Sequence, residues 1–139
     1  MTNTIAIVLA ALVEIESGGN PRAVGDGGRA VGLLQMWPVA VAEANRLESI
    51  EARREERPAR TWTVADRTDP DASREMCAVT LRWHWRRGVT DPVDLGGRWR
   101  NPSGNAPEWY KARLRAALSA CKRQRRHNAG VDRQEKGQT

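Results

Sequence analysis

The sequence predicts a mainly α-helical single domain, and three observations carry that prediction. Apolar residues recur at helical spacing in four segments, glycine- and proline-rich breaks separate those segments, and no stretch alternates apolar and polar residues over a strand length. The 139 residues suit one domain with a buried core. A hydrophobic fraction of 40% and a charged fraction of 29% fit a globular protein in water and exclude a membrane or fully disordered chain.

The first helix is expected from Ile5 to about Ser17, capped by Thr2, Asn3 or Thr4 and ended by Gly18, Gly19, Asn20 and Pro21. A glycine-rich loop, RAVGDGGRAVGLLQMWP, follows. The second helix is expected over Val39 to about Glu56, its second half too charged to be buried, with Pro58 closing it. Asp71 or Ser73 can cap a third helix reaching Arg87, where Gly88 stops it, and Met76, Val79 and Trp83 share one side. Residues around Gly96, Gly97, Pro102 and Gly104 read as a loop. Pro107 and Glu108 suit the first turn of a last helix with Leu114, Ala117, Leu118 and Cys121 as its apolar stripe. The folded domain is therefore placed at 1–121, and the basic residues 122–139, which lack apolar periodicity, read as a flexible solvated tail.

Two acids near the end of the first helix differ in position. With about 100° per residue and Ile5 at zero, Leu9, Leu12 and Val13 fall at about 40°, 340° and 80°. Glu16 lands at about 20°, inside the apolar stripe, while Glu14 falls near 180° and faces water. Burial of Glu16 disfavours its charged form, and the negative end of the helix acts in the same sense. A carboxyl kept protonated near neutral pH is what a general acid requires. A glutamate at a frayed helix end could equally reach past the core edge to solvent, so the pattern suggests a site without specifying one.

The stretch EIESGGNPRAVGDGGRAVGLLQMWP adds specificity. Its ordered set Glu16-Ser17, Asn20-Pro21-Arg22-Ala23 and Gly32-Leu33-Leu34-Gln35-Met36 resembles the lysozyme-like superfamily of peptidoglycan-cleaving enzymes, in particular soluble lytic transglycosylases, goose-type lysozymes and phage endolysins. The segments DRTDPDASREMCAVTLRWHW and GGRWRNPSGNAPEWYKARL resemble later parts of that pattern more weakly. The resemblance spans roughly residues 5 to 118 and implies a lysozyme-like helical domain with a substrate cleft, needing no metal or cofactor. It implies that Glu16 is the catalytic acid on the bond between N-acetylmuramic acid (MurNAc) and N-acetylglucosamine (GlcNAc). By the same resemblance Gln35 lines the cleft and bonds the sugar, and Ser17 supports the helix end and the substrate acetamido group. Trp99, Asn101 and Tyr110 take cleft positions, with Trp109 beside Tyr110 as an alternative aromatic.

Asp26, the nearest acid in the glycine-rich loop, is the candidate second carboxylate that hydrolysis demands, although an aspartate in Gly-Asp-Gly-Gly also suits a turn. Without it, substrate assistance by the acetamido group and attack by the 6-hydroxyl remain, as in lytic transglycosylases. The wording around Asp26 leans the reading toward a lysozyme-type endolysin, with transglycosylation as the alternative.

The net charge of +6 implies attraction to polyanions, such as the anionic bacterial envelope. A basic nucleic-acid-binding module is the remote alternative, supported by arginine runs at 53–60, 82–87 and 122–126. Those runs scatter over several helices, so a monomer acting on peptidoglycan glycan strands is expected, with no nucleic-acid partner. Trp37, Trp99 and Trp109 are expected near the cleft, and Trp62, Trp83 and Trp85 in packing. His84 and His127 lack partners at metal-ligand spacing, and Cys77 and Cys121 read as two buried free thiols, with a single disulfide as the alternative. No Lys or Arg precedes the apolar run 5–13 and acids follow it, so it is read as folded domain rather than signal peptide. Delivery to the cell wall would then follow holin-type release from a host cytoplasm, or carriage on a virion.

Overall fold

The structure, a computed structural model, describes residues 1–137. Helix α1 (Thr2–Ser17) buries Ile5, Val8, Ala11 and Leu12, so its buried face is rotated from the expected stripe and leaves Leu9 and Val13 half-buried. Its cap position is Met1, which makes no side-chain capping bond, so Thr2, Asn3 and Thr4 lie within the first turn instead of capping it. At the other end Gly18 takes a left-handed φ of 61° and donates its N–H to Glu14 O, at 3.0 Å. That closure turns the chain sharply just after Glu16.

A two-residue antiparallel pair follows, β1 (Val24–Gly25) with β2 (Ala30–Val31), joined by a 3₁₀ turn at Asp26–Gly28. Strands this short cannot show alternation in sequence. Gly32 then passes so close to the 3₁₀ turn Val64–Thr68 that a Cβ would lie 1.9 Å from Arg67 O. Arg67 ties the same region by donating to Arg29 O and Met36 O, both at 3.0 Å.

Helix α2 (Pro38–Arg54) begins with proline in its first turn. Its second half corrects the expectation of a solvated face, for Glu48, Glu51 and Ala52 are buried. Arginines brought over them account for this: Arg57 meets Glu48, and Arg82 and Arg86 meet Glu51. Helix α3 (Pro70–Arg86) is capped by Asp69, which accepts the Asp71 and Ala72 N–H groups; neither Asp71 nor Ser73 is the cap. Ser73 is fully buried.

The segment read as a loop around Gly96 is in fact helix α4 (Pro92–Arg100), with Asp91 capping Val93 N and Asp94 N. Its glycines serve packing. A Cβ on Gly96 would sit 3.0 Å from both Leu114 methyls, and one on Gly97 would sit 3.2 Å from Ala106 Cβ. Helix α5 runs from Glu108 to Lys136 and buries Tyr110, Leu114, Ala117 and Leu118, with Cys121 half-buried. Residues 122–136, expected as a flexible tail, continue this helix with every side chain exposed; Gln138 and Thr139 lie outside the described residues.

The core forms where α1 packs against α5, α3 and α4, and α2 closes over α3. Leu12, Leu34, Met76, Leu81, Leu95 and Leu114 are wholly buried there, each contributing on the order of 1.5–3 kcal/mol of transfer free energy. Trp62 belongs to the core, and Trp83 and Trp85 pack partly buried against it. Cys77 and Cys121 are free thiols. The end of α1 therefore lies between the hairpin on one side and α4–α5 on the other.

Candidate active site

A cavity of about 690 Å³ opens there. Glu16 and Ile15 come from α1, Asp26 and Arg29 from the hairpin turn, and Gln35 and Trp37 from the approach to α2. Trp99 and Arg100 arrive from α4, and Trp109, Tyr110 and Arg113 from α5. Six of the eight sequence-predicted site residues are thus brought together: Glu16, Asp26, Gln35, Trp99, Trp109 and Tyr110.

Glu16 is half-buried, while Glu14 is exposed. The Tyr110 hydroxyl donates to Glu16 Oε1 at 2.6 Å, joining positions 94 residues apart. Burial pushes the Glu16 carboxyl above its ordinary value, and the Asp26 charge adds to this; the Tyr110 hydrogen bond and the Arg100 and Arg113 guanidiniums oppose it without reversing it. Tyr110 is itself buried, and burial together with the Glu16 charge holds it firmly as the neutral phenol. Cys77, buried beneath, has its thiol raised by burial and further by Glu16.

Arg100 is not spent on Glu16. Its guanidinium lies over the rings of Trp109 and Tyr110, at 5.2 and 5.8 Å from their centroids. Trp109 in turn meets Tyr110 edge-on and is half-exposed, presenting an aromatic face to the cavity. Across from it, the Trp37 indole N–H donates to Asp26 Oδ2 at 3.2 Å and Arg29 covers the Trp37 ring at 5.3 Å. Asp26 is exposed at a φ of 51°. Trp99 is fixed by donating its indole N–H to Leu34 O at 3.0 Å.

Gln35 sits at a φ of 50° and spends its amide N–H groups on Ala23 O and Gly32 O, at 3.0 and 3.2 Å. Its carbonyl oxygen fills the space a Cβ on Gly25 would need, at 2.5 Å. The side chain thus braces the hairpin and leaves only an acceptor for a ligand.

Ser17 and Asn101 do not line the cavity. Ser17 donates to Val13 O and accepts from Gly19 N, locking the helix end. Asn101 donates to Asn105 O at 2.9 Å and holds its own loop. Sequence reasoning missed Arg29, Arg100 and Arg113, which line the cavity. Arg100 had a signal: Asp91-Pro92 repeats the Asp69-Pro70 pattern that starts α3, and a helix from there ends at Arg100.

The chain matches the transglycosylase SLT domain over residues 3–93, and it belongs to that family. It is therefore a lysozyme-like superfamily domain, and membership indicates a peptidoglycan-cleaving activity of the lytic transglycosylase and lysozyme kind. No curated protein and no solved structure matches the chain.

Proposed function

We propose that the chain cleaves the β-1,4 bond between MurNAc and GlcNAc as a lytic transglycosylase, with Glu16 as its one acid–base group. The observation that carries this reading is a half-buried carboxyl, raised in pKa and oriented by Tyr110, on the wall of the cavity. Tyr110 occupies Oε1 as an acceptor, which leaves Oε2 to carry the proton. Glu16 gives that proton to the glycosidic oxygen as the C1–O bond breaks, and GlcNAc leaves with a free 4-hydroxyl. The acetamido oxygen of MurNAc holds the cationic C1. Glu16, now a carboxylate, takes the proton of the 6-hydroxyl while O6 bonds to C1, and the acid is restored without water.

Asp26 supports a second reading, hydrolysis of the same bond as an endolysin-type muramidase, because it lines the same cavity. Its Oδ2 already accepts the Trp37 indole N–H, which engages an oxygen that a base would use and favours the first reading. Mass spectrometry of the released muropeptides separates the two. Ends lighter by one water, formed by wild type and by Asp26→Asn alike, support transglycosylation; reducing ends that vanish in Asp26→Asn support hydrolysis. The exposed, basic end of α5 supports concentration of the enzyme on the anionic envelope.

A further inference from the structure

The catalytic cavity has an extension. A groove of about 400 Å³ shares Gln35, Trp37, Trp99 and Arg100 with it and continues between the start of α2 and the end of α4. Its walls are mostly apolar: Met36, Val39, Ala40, the Thr80 side chain and Pro102. Val39 is 72% exposed, so the groove carries an uncovered apolar side chain. Among the described residues Glu43 is the one acid lining it, and Arg46 holds that carboxylate with two hydrogen bonds of 2.7 and 2.9 Å.

Beyond Arg98 and Pro102 the groove meets a third cavity, of about 480 Å³, lined by Trp83, His84, Arg87, Val89 and Ser103. Arg98 and Arg87 line this cavity too, and burial together with these two guanidiniums lowers the His84 imidazole below its ordinary value. A ligand leaving the catalytic cavity past Arg100 by this route thus meets an apolar wall and then Arg98 and Arg87.

We propose that this track binds the peptide stem of the muramic acid whose glycosidic bond is cut. The inference rests on the glycosidase reading above. The scissile bond belongs to C1 of MurNAc, and the stem hangs from the lactyl group on the same ring, so a stem site must share a wall with the catalytic cavity. The groove does, through four residues. A stem opens with small apolar side chains and carries free carboxylates further along, which is the order of apolar wall and arginines along the track. Three to five extended residues span about 10–18 Å, the scale of two adjoining cavities.

The test compares wild type, Val39→Glu and Val39→Lys on two purified substrates: peptidoglycan bearing its stems, and the same glycan strands stripped of stems by an amidase. Position 39 lies in the first turn of α2, which has no acid of its own, so a glutamate there suits the helix. On stem-bearing strands Val39→Glu is expected to lose about tenfold in kcat/KM through lost apolar contact and like-charge repulsion, and Val39→Lys, which loses the contact alone, is expected to lose less. On stripped strands all three are expected to be equal, and below wild type on stem-bearing strands. Equal turnover of both substrates by wild type, or a Val39→Glu loss that is the same on both or on neither, overturns the stem site. Release from neither substrate by wild type overturns the glycosidase reading and the stem site with it.

Discussion

Glu16 at the end of α1 and Glu48 within α2 are both withdrawn from water, yet their carboxyls shift in opposite directions. Arg57 donates to both Glu48 oxygens, at 2.5 and 3.3 Å, and Arg60 N adds a third bond at 3.2 Å. The Arg57 hydrogen bond holds that carboxyl below its usual range against the opposing effect of burial. Among the described residues no cation pairs with Glu16; its close partner is a phenol, and burial prevails. Arg100, whose charge also acts on Glu16, lies over aromatic faces instead of pairing with it. Burial thus prevails at Glu16, where no guanidinium pairs with the carboxyl, and not at Glu48, where one does, and α2 uses its acids for cohesion.

This contrast can be broken or sharpened by substitution. The largest effect is expected at Glu16: Glu16→Gln keeps the shape and loses about 10²–10⁴-fold in peptidoglycan turnover, the usual worth of a general acid. Glu14→Gln, on the exposed side of the same turn, should turn over like wild type. A smaller effect, and of another kind, is expected at Glu48. Removing its charge leaves Arg57 and Arg60 N without their acceptor, and denaturant unfolding should show a loss of about 2–3 kcal/mol, at the lower end for a buried pair because Arg57 is partly exposed. Turnover per folded molecule should stay unchanged. An unfolding midpoint equal to that of wild type would remove the cohesive half of the contrast.

The legible and illegible parts of the sequence follow the same physics. Glu16 could be separated from Glu14 because a helix rotates side chains by a fixed angle, and Val8, Leu12 and Glu16 share a face whatever they pack against. The partners of Glu16 were less legible. Tyr110 reached the cleft list only through resemblance, since nothing local brings residues 16 and 110 together. Helix α4 was hidden because Gly96 and Gly97 read as loop, whereas they are small to admit Leu114 and Ala106. Glu48 and Glu51 looked solvated because their neutralising arginines come from other segments, Arg57 beyond the helix end and Arg82 and Arg86 on α3. The end of α5 read as irregular because helical periodicity appears in sequence only when one face is buried, and past residue 121 none is.

The central claim is that burial raises the Glu16 carboxyl above its ordinary value, with Tyr110 orienting the carboxyl and partly opposing the shift. An NMR titration of the Glu16 side-chain carboxyl in wild type and in Tyr110→Phe tests it most directly. The wild-type midpoint should lie above the ordinary glutamate value of 4.5. In Tyr110→Phe the midpoint should rise further, because the lost hydrogen bond favoured the charged form. Activity that depends on the protonated acid should accordingly be lost with rising pH at a higher pH in the variant. A wild-type midpoint at or below 4.5, or one that falls when Tyr110 is replaced, would contradict the account.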